Sequence, residues 1–183
     1  MLELWYLFGK VVPIFILIAF GTFLFLYKWK KSKNHFRWRE VLPFVFTTLS
    51  VIGISLITLT PQSEHEGWKT YNYIPFDNLL LNIKYGGDLW IPIRNLVANL
   101  FLFMPFGFSV GWLLQNLQRI GTRSLLFGSF LSLTIEALQW YLPLGRSTDI
   151  DDWIMNSIGA LLGGVLFVIC LKSFRMIRLN FKK

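Results

Sequence analysis

The sequence predicts an all-α fold: a polytopic membrane helix bundle with five transmembrane helices, its N-terminus outside and its C-terminus cytoplasmic. Three observations lead there. The 183 residues are 54% hydrophobic and only 15% charged, with a mean hydropathy of +0.52. The apolar residues come in long uninterrupted runs, where a soluble domain would interrupt them with polar positions. The remaining charges sort by side along the chain.

A hydrocarbon core about 30 Å thick needs roughly 20 apolar residues per helix. Five segments qualify, at residues 4–27, 41–60, 94–114, 124–142 and 152–171. The first has Glu3 ahead of it, a basic run behind it and no small-residue cleavage site, so it reads as an uncleaved anchor. Pro13 and Pro105 interrupt the first and third, which membrane helices tolerate when neighbours satisfy the freed backbone groups. The chain divides into an N-terminal anchor with a basic cytoplasmic segment (1–40), a four-helix membrane domain (41–172) and a basic cytoplasmic tail (173–183). One connection is long, 61–93. It carries Trp68, Tyr71, Tyr73, Phe76 and Trp90, too aromatic for a solvated linker, and is expected to fold back over the bundle or lie in the interface.

Charge fixes the orientation. Lys28, Lys30, Lys31, Lys33, Arg37 and Arg39 follow span one, Arg119 and Arg123 follow span three, and Lys172, Arg175, Arg178, Lys182 and Lys183 end the chain. In a five-span chain all of these fall on one side, which the positive-inside rule makes cytoplasmic. Glu64, Glu66, Asp77, Asp88, Asp149, Asp151 and Asp152 fall on the other. The net charge of +8 therefore reads as membrane orientation in a multi-pass cell-membrane protein, with the lipid bilayer as partner and no nucleic acid. Cys170 is the only cysteine and lies in an apolar run; His35 and His65 sit in opposite connections without a second histidine at ligand spacing.

The unusual residues gather at one depth. Span three enters from outside with Arg94, Asn95 and Asn99, span four ends with Glu136 and Gln139, and span five begins with Asp152 and Asn156. At about 1.5 Å per residue, Asn99, Glu136 and Asn156 lie within roughly 10 Å of the outer boundary. Asp149, Asp152, Asn156, Gly159 and Gly163 share one arc at about 100° per residue. A carboxylate inside a span costs about 2.5–3.5 kcal/mol on insertion scales, so Glu136 must face protein or a wet cavity and find a partner. Arg146 and Arg94 are the cations on that side.

Plainer readings stand beside these. Asn95, Asn99, Gln139 and Asn156 serve equally as interhelical hydrogen-bond glue. Asp149, Asp151 and Asp152 serve equally as caps complementing the dipole of the fifth helix. Gly159, Gly163 and Gly164 read as close-approach positions. The three acids could hold a divalent cation through oxygen ligands, but three nearby carboxylates do not define a site, so neither metal nor cofactor is expected.

In order and spacing the polar motifs resemble the VanZ family of bacterial membrane proteins. Thr60-Pro61 closes span two, and Asn72-Tyr-Ile-Pro75-Phe76 lies in the outer loop. Asn95-Leu-Val-Ala-Asn99 precedes Phe103-Met-Pro105-Phe-Gly107. Glu136-Ala-Leu-Gln139 precedes Arg146-x-x-Asp149-x-Asp151-Asp152, Asn156 and the glycines Gly159 and Gly163. The resemblance covers residues 50–167 and implies a link to glycopeptide (teicoplanin) resistance. It marks Asn95, Asn99, Glu136, Gln139, Arg146, Asp149, Asp152 and Asn156 as the important positions without assigning each a role.

Three functions are carried forward. The leading one is an outward-facing polar pocket binding an envelope lipid or lipid-linked precursor, with Arg146 and Arg94 engaging phosphate or carboxylate. The second is an intramembrane enzyme on an envelope lipid, with Glu136 as candidate acid or base and Asp149 or Asp152 orienting water. No phosphate-cradling glycine loop or G-x-S-x-G nucleophile motif accompanies it. The third is a small transporter or proton relay around Glu136, for which five spans would need a homo-oligomer.

Overall fold

The protein is described by a computed structural model over residues 38–60, 71–142, 145 and 147–180, with isolated positions 21, 24 and 28. The first expected span, the basic segment behind it, Arg146 and the last three residues lie outside the described residues, apart from those isolated positions. The chain forms two compact units, Met1–Thr60 and Pro61–Lys183.

In the first unit, helix α1 runs Trp38–Thr58, where the second span was expected. Pro43 falls within its first two turns. The hydroxyls of Thr47, Ser50 and Thr58 donate to the carbonyls of Pro43, Phe46 and Ile54, each four residues back, at 2.7–2.8 Å. Polar side chains are thereby satisfied within the helix itself, as an apolar surrounding requires.

The second unit contains β1 (Tyr71–Asn72), α2 (Asp77–Tyr85), α3 (Trp90–Leu113), α4 (Ile120–Tyr141), β2 (Thr148–Asp149) and α5 (Ile150–Asn180). Helix α3 begins a turn earlier than expected. Asp88 Oδ1 accepts the Trp90 amide at 2.8 Å, and Pro92 occupies the first turn, where a missing N–H costs nothing. Helix α5 continues to Asn180, about 46 Å at 1.5 Å per residue, so much of the expected tail is helical. Among the described residues, α1, α3 and α5 contain stretches long and apolar enough to cross a membrane: Val41–Thr58, Trp90–Leu113 and Ile150–Phe174. Helix α4 occupies the place of the fourth expected span but falls short of that apolarity, because Ser124, Ser129, Ser132, Glu136 and Gln139 dilute its leucines.

Helix α5 is the axis of this unit. Glycines bring it to backbone contact with α3: a Cβ on Gly159 would overlap the Leu100 carbonyl, and one on Gly163 the Met104 carbonyl and the Phe108 amide. Rising numbers on both sides make the two helices parallel. On its other flank Gly164 meets Ser124, Ala160 meets Gly128 and Asn156 meets Ser132, so α4 runs antiparallel. Ser124 Oγ donates to the Gly107 carbonyl at 3.1 Å, closing the third pair. Phe103, Phe106, Val110, Ile135, Ala160 and Phe167 fill the core. Phe108 and Phe167 meet edge to face with centroids 5.4 Å apart, the favoured arrangement for two aromatic quadrupoles.

One feature departs from an all-α reading. Strands β1 and β2 pair in parallel, Tyr71 with Thr148 and Asn72 with Asp149. The long connection before α3 thus folds back, at residues 71–76, onto the start of α5.

Candidate functional site

The start of α3, the end of α4 and the start of α5 converge at one end of the unit, and each acid there has a separate task. Asp149 stands just before α5. Its Oδ1 accepts the Asp151 amide at 2.9 Å, the bond of an N-cap, and also the Asn72 side-chain amide at 3.2 Å. Asp151 is buried, and its Oδ1 accepts the Phe76 amide at 2.7 Å. Phe76 sits in the left-handed region at φ 60°, just ahead of α2 with no side-chain cap of its own. Asp152 Oδ1 accepts from the Asn99 side chain, joining α5 to α3.

Glu136 is 8% exposed, and its Oε2 accepts the Asp149 backbone amide at 3.1 Å. The partner described for this carboxyl is therefore a peptide N–H; of the two cations named from the sequence, Arg94 is exposed and Arg146 lies outside the described residues. Gln139 is buried one turn further along α4. Asn156 lies deeper, 3% exposed, and donates through Nδ2 to Ser132 Oγ at 2.9 Å, while its Oδ1 has no hydrogen-bond partner among the described residues. Trp153 Nε1 donates to Ser129 Oγ at 2.9 Å. Asn156 and Trp153 thus tie α5 to the serine face of α4.

An open cleft of about 250 Å³ lies at this end, lined by Asn78, Asn95, Asp149, Asp151, Asp152 and apolar Leu79, Pro92 and Leu96. A second of about 280 Å³ adjoins it, sharing Asn78, Pro92 and Asn95. Of the residues singled out in the sequence, the structure brings Asn95, Asp149 and Asp152 to one cleft and ties Glu136 and Asn99 directly to its acids. Asn156 and Gln139 belong to the buried layer beneath. The shared arc expected for Asp149 with Asp152 is not continuous, because Asp149 precedes the helix as its cap. The three aspartates turn to three different partners, and no group of three His, Cys, Asp or Glu among the described residues could hold a metal ion.

Four participants were not singled out as site residues. Asp151 was weighed only as a cap or cation ligand, and its bond to a backbone amide 75 residues earlier leaves no local trace. Asn72 stood within a quoted motif without a role. Ser132 carried one signal, since Ser124, Gly128, Ser132 and Glu136 recur every four residues along one face of α4; Ser129 falls outside that series and carried none.

Burial raises the Asp149 carboxyl above its ordinary 3.8; the Asp151 charge adds to this, and the Asp151 amide and Asn72 oppose it. The folded state therefore holds this proton more tightly than the unfolded chain. Its contribution to stability is full below pH 3.8 and is lost as pH rises through the folded value. Asp149→Asn keeps the accepting Oδ1 and removes the charge. Thermal unfolding in detergent across pH 4–8 is expected to show the variant gaining on the wild type as pH rises. Parallel curves would remove Asp149 from that dependence.

Helices long and apolar enough to cross a membrane, with an acid and amide cluster where α3, α4 and α5 meet, mark a helical membrane protein. The chain belongs to the VanZ/LLP1 family, whose model matches residues 44–171. Protein VanZ of Enterococcus faecium is 33% identical over 88 residues, which are 48% of this chain and 52% of that protein. The chain thus spans about half the length of the curated relative it matches. No solved structure matches.

Proposed function

We propose that this is a multi-pass cell-membrane protein of five spans, N-terminus outside, whose acid and amide mouth faces the outer leaflet and binds an envelope lipid headgroup or lipid-linked precursor. That binding would contribute to glycopeptide (teicoplanin) resistance. The observation that carries the reading is the cleft lined by Asn95, Asp149, Asp151 and Asp152. The orientation draws support from the opposite end of α3 and α4, where Arg119 and Arg123 are exposed.

The lining chemistry narrows the ligand. Carboxylates and amide oxygens accept hydrogen bonds and repel anions, so the group seated between them is a donor, an ammonium or a sugar hydroxyl. A phosphate or carboxylate on the same ligand would fall to Arg94, the residue before Asn95, and to Arg146, which in sequence precedes Ser147 of the cleft lining.

In a glycopeptide-sensitive host, expression is expected to raise the teicoplanin concentration needed for inhibition. Asn95→Ala and Arg146→Ala should each abolish that rise while membrane abundance stays constant. Full resistance in both variants at equal abundance would overturn the reading. Glu136 does not line the cleft, so lipid extracts from wild type and Glu136→Gln should be identical. A lipid product made by the wild type and lost in that variant would move the protein to the enzymes.

A further inference from the structure

Helix α2 is built the wrong way round for a protein in water. Its nine residues include none that is buried. Asn78 and Asn82, one turn apart, line the clefts beside α3. Leu80 and Ile83, on the far side of the helix, are 56% and 58% exposed. The two amides thus face the site, while Leu80 and Ile83 face outward with charged Lys84 and Asp77 at their edge.

The apolar side does not stand alone. Trp90, at the start of α3, is 67% exposed, and Tyr141, at the end of α4, is 80% exposed. Tyr71 stacks near Trp140 with ring centroids 5.5 Å apart. Trp90 begins α3 and Tyr141 ends α4, at the end of the unit where the exposed apolar positions Val97 and Phe101 of α3 and Phe130 and Leu133 of α4 run out. Tyrosine and tryptophan at that level suit the headgroup layer, and a short amphipathic helix lies flat in it.

We propose that α2 and these aromatic residues form a platform embedded in the headgroup layer of the bilayer, with Leu80 and Ile83 dipped toward the acyl chains and Asn78 and Asn82 turned to the cleft. The cleft then opens sideways at the headgroup layer, and a ligand reaches it from within the leaflet. This rests on the membrane placement of α3, not on what the cleft binds, so its failure leaves the ligand test standing.

The test uses the full chain with Cys170→Ser and a polarity-sensitive fluorophore on Ile83→Cys, in vesicles of phosphatidylethanolamine and phosphatidylglycerol. The expected result is blue-shifted emission, quenched several-fold more by nitroxides at the headgroup or upper acyl chain than by nitroxides near the bilayer centre. The same label on Asn82→Cys should be quenched less, and one on Leu80→Cys should repeat the Ile83 result if the first variant is poorly made. Water-like emission without lipid quenching would overturn the platform. So would blue-shifted emission without lipid quenching, which would mean that protein, such as a second copy of the chain, covers this side.

Discussion

Gly163→Leu is expected to leave almost no folded protein in the membrane. The glycine lies where α5 touches α3, and even a Cβ there would overlap the Met104 carbonyl and crowd the Phe108 amide. Extra methylenes in a packed core cost about 1–3 kcal/mol when neighbouring side chains can yield. Here the obstacle is backbone, which yields only if the two helices part, so the cost lies at or beyond the top of that range. At about 1.4 kcal/mol per factor of ten, the folded fraction shifts by at least about 100-fold. Membrane abundance and protease resistance in mild detergent measure it. Gly53→Leu on α1 is the control, because nothing among the described residues lies within 4 Å of a Cβ built there. Normal abundance of Gly163→Leu would mean that α3 and α5 do not meet along this line.

Asp151→Ala is expected to release the loop at residues 71–76 while sparing the helices. Losing this carboxylate leaves the Phe76 amide without its acceptor and Phe76 in a left-handed conformation with less to hold it. An abandoned buried partner costs about 1–3 kcal/mol. Amide exchange over residues 71–76 should therefore accelerate by about 10- to 100-fold, with exchange near Asn156 to Gly163 unchanged. Asp151→Asn retains a side-chain carbonyl oxygen and should restore most of the protection. Equal exchange in Asp151→Ala and wild type would show that the strand pair alone fixes the loop.

The helices were readable because apolar runs of bilayer length leave few alternatives, and four of the five expected spans fall on described helices. Glu136, Asn99 and Asp152 were readable because polar groups at one depth on different spans have no compositional cause. The peptide N–H that Glu136 accepts was not readable, because charge directs attention to Arg94 and Arg146 while this donor is backbone at the turn before α5. Strands of two residues have no period to detect, so the pairing of Asn72 with Asp149 was invisible. Serines within a helix read the same whether they merely fill space or receive a hydrogen bond, which hid Ser132 and Ser129. The shortfall of α4 in apolarity follows from the same serines: their cost is met by facing α5.

The contacts between Asn72 and Asp149 and between Phe76 and Asp151 also have a consequence for biosynthesis. The loop and the amides of α3 leave the ribosome well before the aspartates that complete them. Until α5 follows, Asn72, Phe76 and Asn99 wait without these acceptors, and long-range pairings of this kind close late. The polar mouth is therefore assembled only once α5 has followed α3 and α4, and α5 serves as the latch that makes the earlier elements a site.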